Sequence, residues 1–159
     1  MADIRPVTPD DLDTVVVLEL EVFASRAWSP RSVEEEFAGL GDTRAMWLAE
    51  VDADGRTKAV GYAVGRYVGD VADLQRVAVL PSRRRLGIGR DLVQQVVSAA
   101  RGHGCDRVLL EVAADNTAAI TLYEADGFRA IDRRPRYYGG KVDAVIMQRD
   151  LGDGGASDG

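Results

Sequence analysis

The sequence predicts a single α/β domain over residues 1–151, with a mixed central sheet of about six to seven strands and helices on both faces. Three observations carry this. Strand-like segments follow one another in hairpin succession from residue 44 to residue 79, and the order then changes to helix, strand, helix, strand. The 159 residues are 46% hydrophobic and 29% charged, a composition suited to one core in one domain.

Taken in order, Asp3 to Val7 reads as a short strand. Thr8-Pro9-Asp10-Asp11 then supplies an N-cap, a proline at the first helical position and an acid at the third, opening a helix that runs to about Phe23. Ser29-Pro30 repeats the signal for a short helix carrying Val33, Phe37 and Leu40, which leaves Ala24 to Trp28 as a loop. Arg44 to Val51 and Ala59 to Val68 are β-rich, and Asp52-Ala53-Asp54-Gly55 between them has hairpin composition. Gly69-Asp70 turns the chain into a further strand, Ala72 to Val79, which ends at Leu80-Pro81.

Leu92, Val93, Val96, Val97 and Ala100 form the stripe of an amphipathic helix closed by Gly102 and Gly104. Arg107 to Val112 is a nearly continuous apolar strand, Thr117 to Ala125 a helix ended by Gly127, and strand resumes at Phe128. Gly139-Gly140 precedes a last strand, Val142 to Arg149. Residues 152–159 are mostly glycine, aspartate and serine, with nothing to bury, and are expected to be disordered.

Composition narrows the function. No run approaches the roughly 20 apolar residues of a membrane span, and Met1-Ala2-Asp3-Ile4-Arg5 lacks the apolar stretch of a signal peptide, so no membrane partner and a cytoplasmic location are expected. One cysteine, Cys105, and one histidine, His103, make a disulfide or a metal site an unexpected finding; Cys105 reads as a small buried hydrophobe and His103 as a solvent-facing loop residue. A net charge of −6 argues against direct nucleic-acid binding. Against that acidic background two basic clusters stand out as candidate anion sites: Arg83-Arg84-Arg85 with Arg90, and Arg129, Arg133, Arg134 and Arg136.

The first cluster lies in the most informative segment. The strand Val77-Ala78-Val79 is followed by Arg84-Arg85-Leu86-Gly87-Ile88-Gly89 and the start of a long helix. Positive φ at Gly87 and Gly89 lets the backbone approach a ligand closely, so that successive N–H groups and the helix N-terminus face phosphate oxygens. A dinucleotide fingerprint fails because Leu92 occupies the place of its third glycine, and a P-loop fails because Arg90-Asp91 follows Gly89. A plain surface turn before an amphipathic helix is the competing account.

Arg84-x-x-Gly87-x-Gly89 after a β-meander resembles the pyrophosphate loop of the GNAT acetyltransferase superfamily. The similarity runs nearly end to end, through Leu110-Glu111-Val112, Asp115-Asn116, Ala119-Ile120 and Leu122-Tyr123-Glu124-x-x-Gly127-Phe128. Phe23, Ala27-Trp28-Ser29, Tyr137-Tyr138, Asp143-Ala144 and Met147 resemble more narrowly the RimI-type enzymes, which acetylate the N-terminal alanine of a small-subunit ribosomal protein. Gly139-Gly140-Lys141 departs from that group's pattern, which often has a proline there.

The resemblance implies acetyl-CoA as cosubstrate, no metal, a peptide or protein N-terminus as acceptor, and direct attack of the amine on the thioester. Residues at matching positions give the cofactor contacts as Val77, Ala78, Val79, Arg84, Arg85, Leu86, Gly87, Ile88, Gly89 and Asn116, the base as Glu111 and the acid as Tyr123. Each assignment has a plainer alternative. Glu111 could be a strand glutamate paired with an arginine, Tyr123 a core aromatic, and Asn116 a helix N-cap. Alternative functions are acetylation of a small-molecule amine and non-catalytic binding of acetyl-CoA. The Ala24 to Trp28 and Tyr137 to Lys141 loops should separate a peptide groove from a closed pocket.

Overall fold

The computed structural model describes residues 2–152, and the tail beyond Gly152 lies outside them. Seven strands form one mixed sheet in the order β1-β2-β3-β4-β5-β7-β6. They are β1 (Asp3–Pro6), β2 (Arg44–Ala53), β3 (Arg56–Val68), β4 (Val71–Val79), β5 (Arg107–Ala113), β6 (Arg129–Tyr138) and β7 (Val142–Asp150). The α-helices are α1 (Leu12–Phe23), α2 (Pro30–Ala38), α3 (Ile88–Gly102) and α4 (Thr117–Ala125). The described residues fall into two compact units, one from residues 2–66 and 76–96, the other from residues 67–75 and 97–152.

In the first unit, Thr8 and Pro9 open a short 3-10 turn, Pro9–Asp11, that leads into α1. The Thr8 backbone N–H donates to the Asp11 carboxylate at 2.7 Å. Arg5 ties the entry to the sheet, donating to Asp11 at 2.9 and 3.0 Å and to Glu50 of β2 at 2.9 Å. The arginine holds the Asp11 carboxyl below the usual carboxylate range. Ser29 caps α2 by accepting from the Ser32 N–H at 3.1 Å.

β1 pairs with β2 and β2 with β3, both antiparallel. The hairpin is tighter than its composition suggests. Ladder pairs continue to Ala53↔Arg56, leaving Asp54 and Gly55 as a two-residue turn with φ of 52° and 75°, the left-handed pair that matches strand twist. Gly61 allows a close approach of main chains, since a Cβ there would stand 2.5 Å from the Ala78 carbonyl oxygen and 3.4 Å from Leu92 of α3.

In the second unit, β4 and β5 are parallel over Val71↔Arg107, Ala72↔Val108 and Asp73↔Leu109. β5 and β7 are antiparallel over seven pairs from Arg107↔Asp150 to Ala113↔Ala144, and β6 closes that edge against β7. Val108, Leu110 and Val112 are buried, as are Met147 opposite Leu110 and Val145 opposite Val112. Cys105 is buried, its thiol pushed above its ordinary range by burial first and then by Asp106 and Asp70. His103 is exposed and stacked on Tyr67, with ring centroids 4.6 Å apart. Among the described residues no helix is long and apolar enough to cross a membrane.

Candidate active site

The glycine turn belongs to the first unit. After Val79 the chain makes a 3-10 turn at Pro81–Arg83, and Arg84, Arg85, Leu86 and Gly87 are all exposed. Gly87 has φ of 84°, as the turn requires, and its carbonyl accepts the first helical bond from the Asp91 N–H at 3.0 Å. The second left-handed residue differs from expectation. It is Arg85, with φ of 66°, whereas Gly89 already lies in the first turn of α3. The helix begins one residue after Gly87, so Gly89 takes helical geometry and Arg85 carries the bend.

Among the described residues other than its chain neighbours, no atom lies within 4 Å of where a Gly87 Cβ would sit, so no packing contact requires glycine there. Arg84 folds back on the strand end, its Nε donating to the Val79 carbonyl at 3.3 Å. An exposed turn with two left-handed residues, two arginines and the N-terminus of a 15-residue helix suits a diphosphate. Ile88 is buried and anchors the turn from beneath.

The predicted acid and base both lie in the second unit. Glu111 is the exposed residue between buried Leu110 and Val112 on β5, with its Oε1 3.1 Å from an Arg134 nitrogen on β6. Tyr123 of α4 is 8% exposed and sets its ring against Phe128, edge to face, at 5.9 Å. Asn116 caps α4, its Oδ1 accepting from the Ala119 N–H at 3.2 Å. The second basic cluster is largely engaged on β6, where Arg133 meets Asp143 at 2.6 Å and Arg129 meets Asp150 at 3.4 Å. Arg136 donates its backbone N–H to Asp143 at 2.9 Å.

A buried cluster in the first unit escaped sequence reasoning. Glu19 of α1 is fully buried and accepts from Arg76 of β4 at 2.8 and 3.0 Å, from the Trp28 backbone N–H at 2.8 Å and from the Tyr62 hydroxyl. Burial first, and then the Glu19 charge, push the Tyr62 phenol well above its ordinary range. The available signal was an acid four residues after Val15 on a buried helical stripe, and an arginine just before the apolar end, Val77 to Val79, of β4.

The model of the acetyltransferase (GNAT) family matches residues 14–128. An N-alpha-acetyltransferase RimI from Mycobacterium tuberculosis is 33% identical over 163 residues, covering 96% of this chain and 98% of that protein. The [ribosomal protein bS18]-alanine N-acetyltransferase of Escherichia coli is 39% identical over 93 residues, 57% of this chain and 63% of the enzyme. Its crystal structure superposes with a TM-score of 0.83 at 30% identity, covering 95% of this chain and 94% of that one. The chain spans 40% to 63% of the length of several curated relatives it matches, the Escherichia coli enzyme among them. With its glycine turn, its sheet and the family match over most of its length, the chain belongs to the acetyltransferase (GNAT) family.

Proposed function

We propose that this protein transfers an acetyl group from acetyl-CoA to the N-terminal α-amine of a protein, with a ribosomal-protein alanine as the favoured acceptor, and that it acts in the cytoplasm. The observation that carries the chemistry is Glu111, an exposed carboxylate on a strand whose neighbouring side chains are buried and apolar. An ammonium group cannot attack a carbonyl, and a carboxylate can take its proton directly or through water. The acceptor class rests on the N-alpha-acetyltransferase aligned over 98% of its length.

Arg84 to Gly89 bind the pyrophosphate of acetyl-CoA through arginine charge and main-chain N–H groups. Val77, Ala78, Val79 and Asn116 offer main-chain partners to the amide-bearing arm, so that their side-chain identities matter little. Glu111 accepts the proton of the attacking amine, and the Tyr123 hydroxyl returns one to the sulfur as the thiolate leaves. An α-amine, with a reference pKa near 8 against about 10.4 for lysine, asks less of a carboxylate base.

The test is an acceptor panel. The enzyme is incubated with acetyl-CoA and an alanine-started peptide, free lysine, a polyamine or an aminoglycoside, and released thiol is followed. The peptide is expected to turn over fastest. Faster turnover of the polyamine or the aminoglycoside overturns the acceptor assignment, and no turnover of any amine overturns the catalytic one.

A further inference from the structure

The connection Ala24 to Trp28 between α1 and α2 is held by an expensive set of interactions. Arg76 is the hub. Its guanidinium makes a two-pronged bond to Glu19, donates to the Arg26 carbonyl at 3.0 Å, and lies 3.6 Å from the centroid of the Phe23 ring and 4.8 Å from that of Trp28. Glu19, fully buried, also receives the backbone N–H of Trp28. Both ends and the middle of the connection are therefore tied to one ion pair.

Each part of that arrangement opposes stability on its own. A carboxylate is taken entirely out of water, and the connection opens at Ala24 with φ 50° and ψ −114°, a conformation an alanine rarely adopts. Joining two helices needs none of this, since Ser29-Pro30 starts α2 by itself. What the cluster achieves is a fixed path for five residues whose outer surface, at Ala24, Ser25 and Arg26, stays exposed beside a half-buried Trp28. Rigid backbone under an exposed, aromatic-bearing surface suits binding a flexible chain, because the entropy of ordering the loop is lost on folding and not on binding.

We infer that Arg76 is a positioning residue for the acceptor: through Glu19, Phe23 and Trp28 it presets the Ala24 to Trp28 connection against which the acceptor chain is bound. This rests on the acceptor reading above. Arg76 touches neither cosubstrate nor the transferred group in this account, so its influence falls on acceptor KM and leaves acetyl-CoA binding alone.

Arg76→Lys keeps a cation beside Glu19 but removes the fork that reaches both the carboxylate and the Arg26 carbonyl. The double variant Glu19→Gln, Arg76→Met removes the pair together, so that no uncompensated buried charge is left to unfold the protein. Two measurements are made on each. Amide hydrogen exchange over residues 24–28 is expected to quicken while α3 keeps its protection. The acceptor KM is expected to rise roughly tenfold or more, with acetyl-CoA KM unchanged and kcat lowered less.

Unchanged exchange in both variants overturns the clamp. Faster exchange with an unchanged acceptor KM overturns its link to the acceptor. If the wild-type protein acetylates no peptide N-terminus, the acceptor reading itself fails, and the same KM comparison with the best amine of the panel then decides the clamp alone.

Discussion

Two side chains of the second unit, Glu111 and Tyr123, carry the proton transfers of the proposed reaction, and the roles proposed for them are separable by pH. Glu111→Gln keeps the shape of the side chain and loses the base, so turnover at neutral pH is expected to fall by roughly 10²–10⁴-fold with acetyl-CoA binding little changed. Raising the pH should recover part of that loss, because more acceptor arrives already deprotonated. Tyr123→Phe should show no such recovery, its defect lying in the departing thiolate. Superimposable pH profiles for the two variants, or full activity of Glu111→Gln, sink the assigned roles. Both residues were named from motif and resemblance, and folding gives each a structural task as well, with Glu111 paired to Arg134 and Tyr123 packed on Phe128. Spacing along a chain carries no information about such partners, which lie on β6 or past the end of α4. Glu19 and Arg76 were invisible for the same reason: 57 residues apart, neither has a local pattern that points to the other.

Among the elements, the turn from β4 into α3 is the one most legible in the sequence, and it departs from expectation at one residue. Strand, arginines, glycines and helix start were legible because each follows from backbone rules of a few residues. Which residue bends left-handed was not, since helix entry competes for Gly89 and wins, moving the bend to Arg85. Gly87 keeps its left-handed geometry. With φ of 84° it tolerates a β-branched side chain badly, so Gly87→Val should strain the turn and place a side chain where a ligand approaches. Calorimetry should show acetyl-CoA affinity reduced by about tenfold or more. An unchanged dissociation constant removes the turn from the binding site. The hairpin between β2 and β3 shows the same limit, since its turn composition was plain but the strands run on until only Asp54 and Gly55 remain outside the ladder.

For the molecule as a whole, acid stability has a named contributor. Arg5 joins β1, the turn before α1 and β2 through Asp11 and Glu50, and lowers the Asp11 pKa. A carboxyl whose folded pKa is depressed contributes stability that is present above its unfolded value, about 3.9, and is lost as pH falls through the lower folded one. Asp11→Asn is therefore expected to cost about 1 kcal/mol at neutral pH, the half-exposed arginine limiting the figure, and less as the pH drops below 4. Thermal unfolding of both proteins between pH 7 and pH 2 checks it, and a gap in Tm that stays constant across that range contradicts it.

The two ends of the strand order, β1 and β6, are the outer margins of the sheet. β1 is four residues long and finishes in Pro6, which has no N–H to offer. β6 is longer and carries Arg133, Arg134, Pro135 and Arg136, with its register broken between Arg134 and Tyr138 and a left-handed kink at Arg136. An incoming strand would meet like charges, a missing donor and a bent template, the devices that blunt an open edge. Sheet growth by addition of further copies, the first step towards a fibril, is thus discouraged at both margins by the same residues that shape the rim of the sheet.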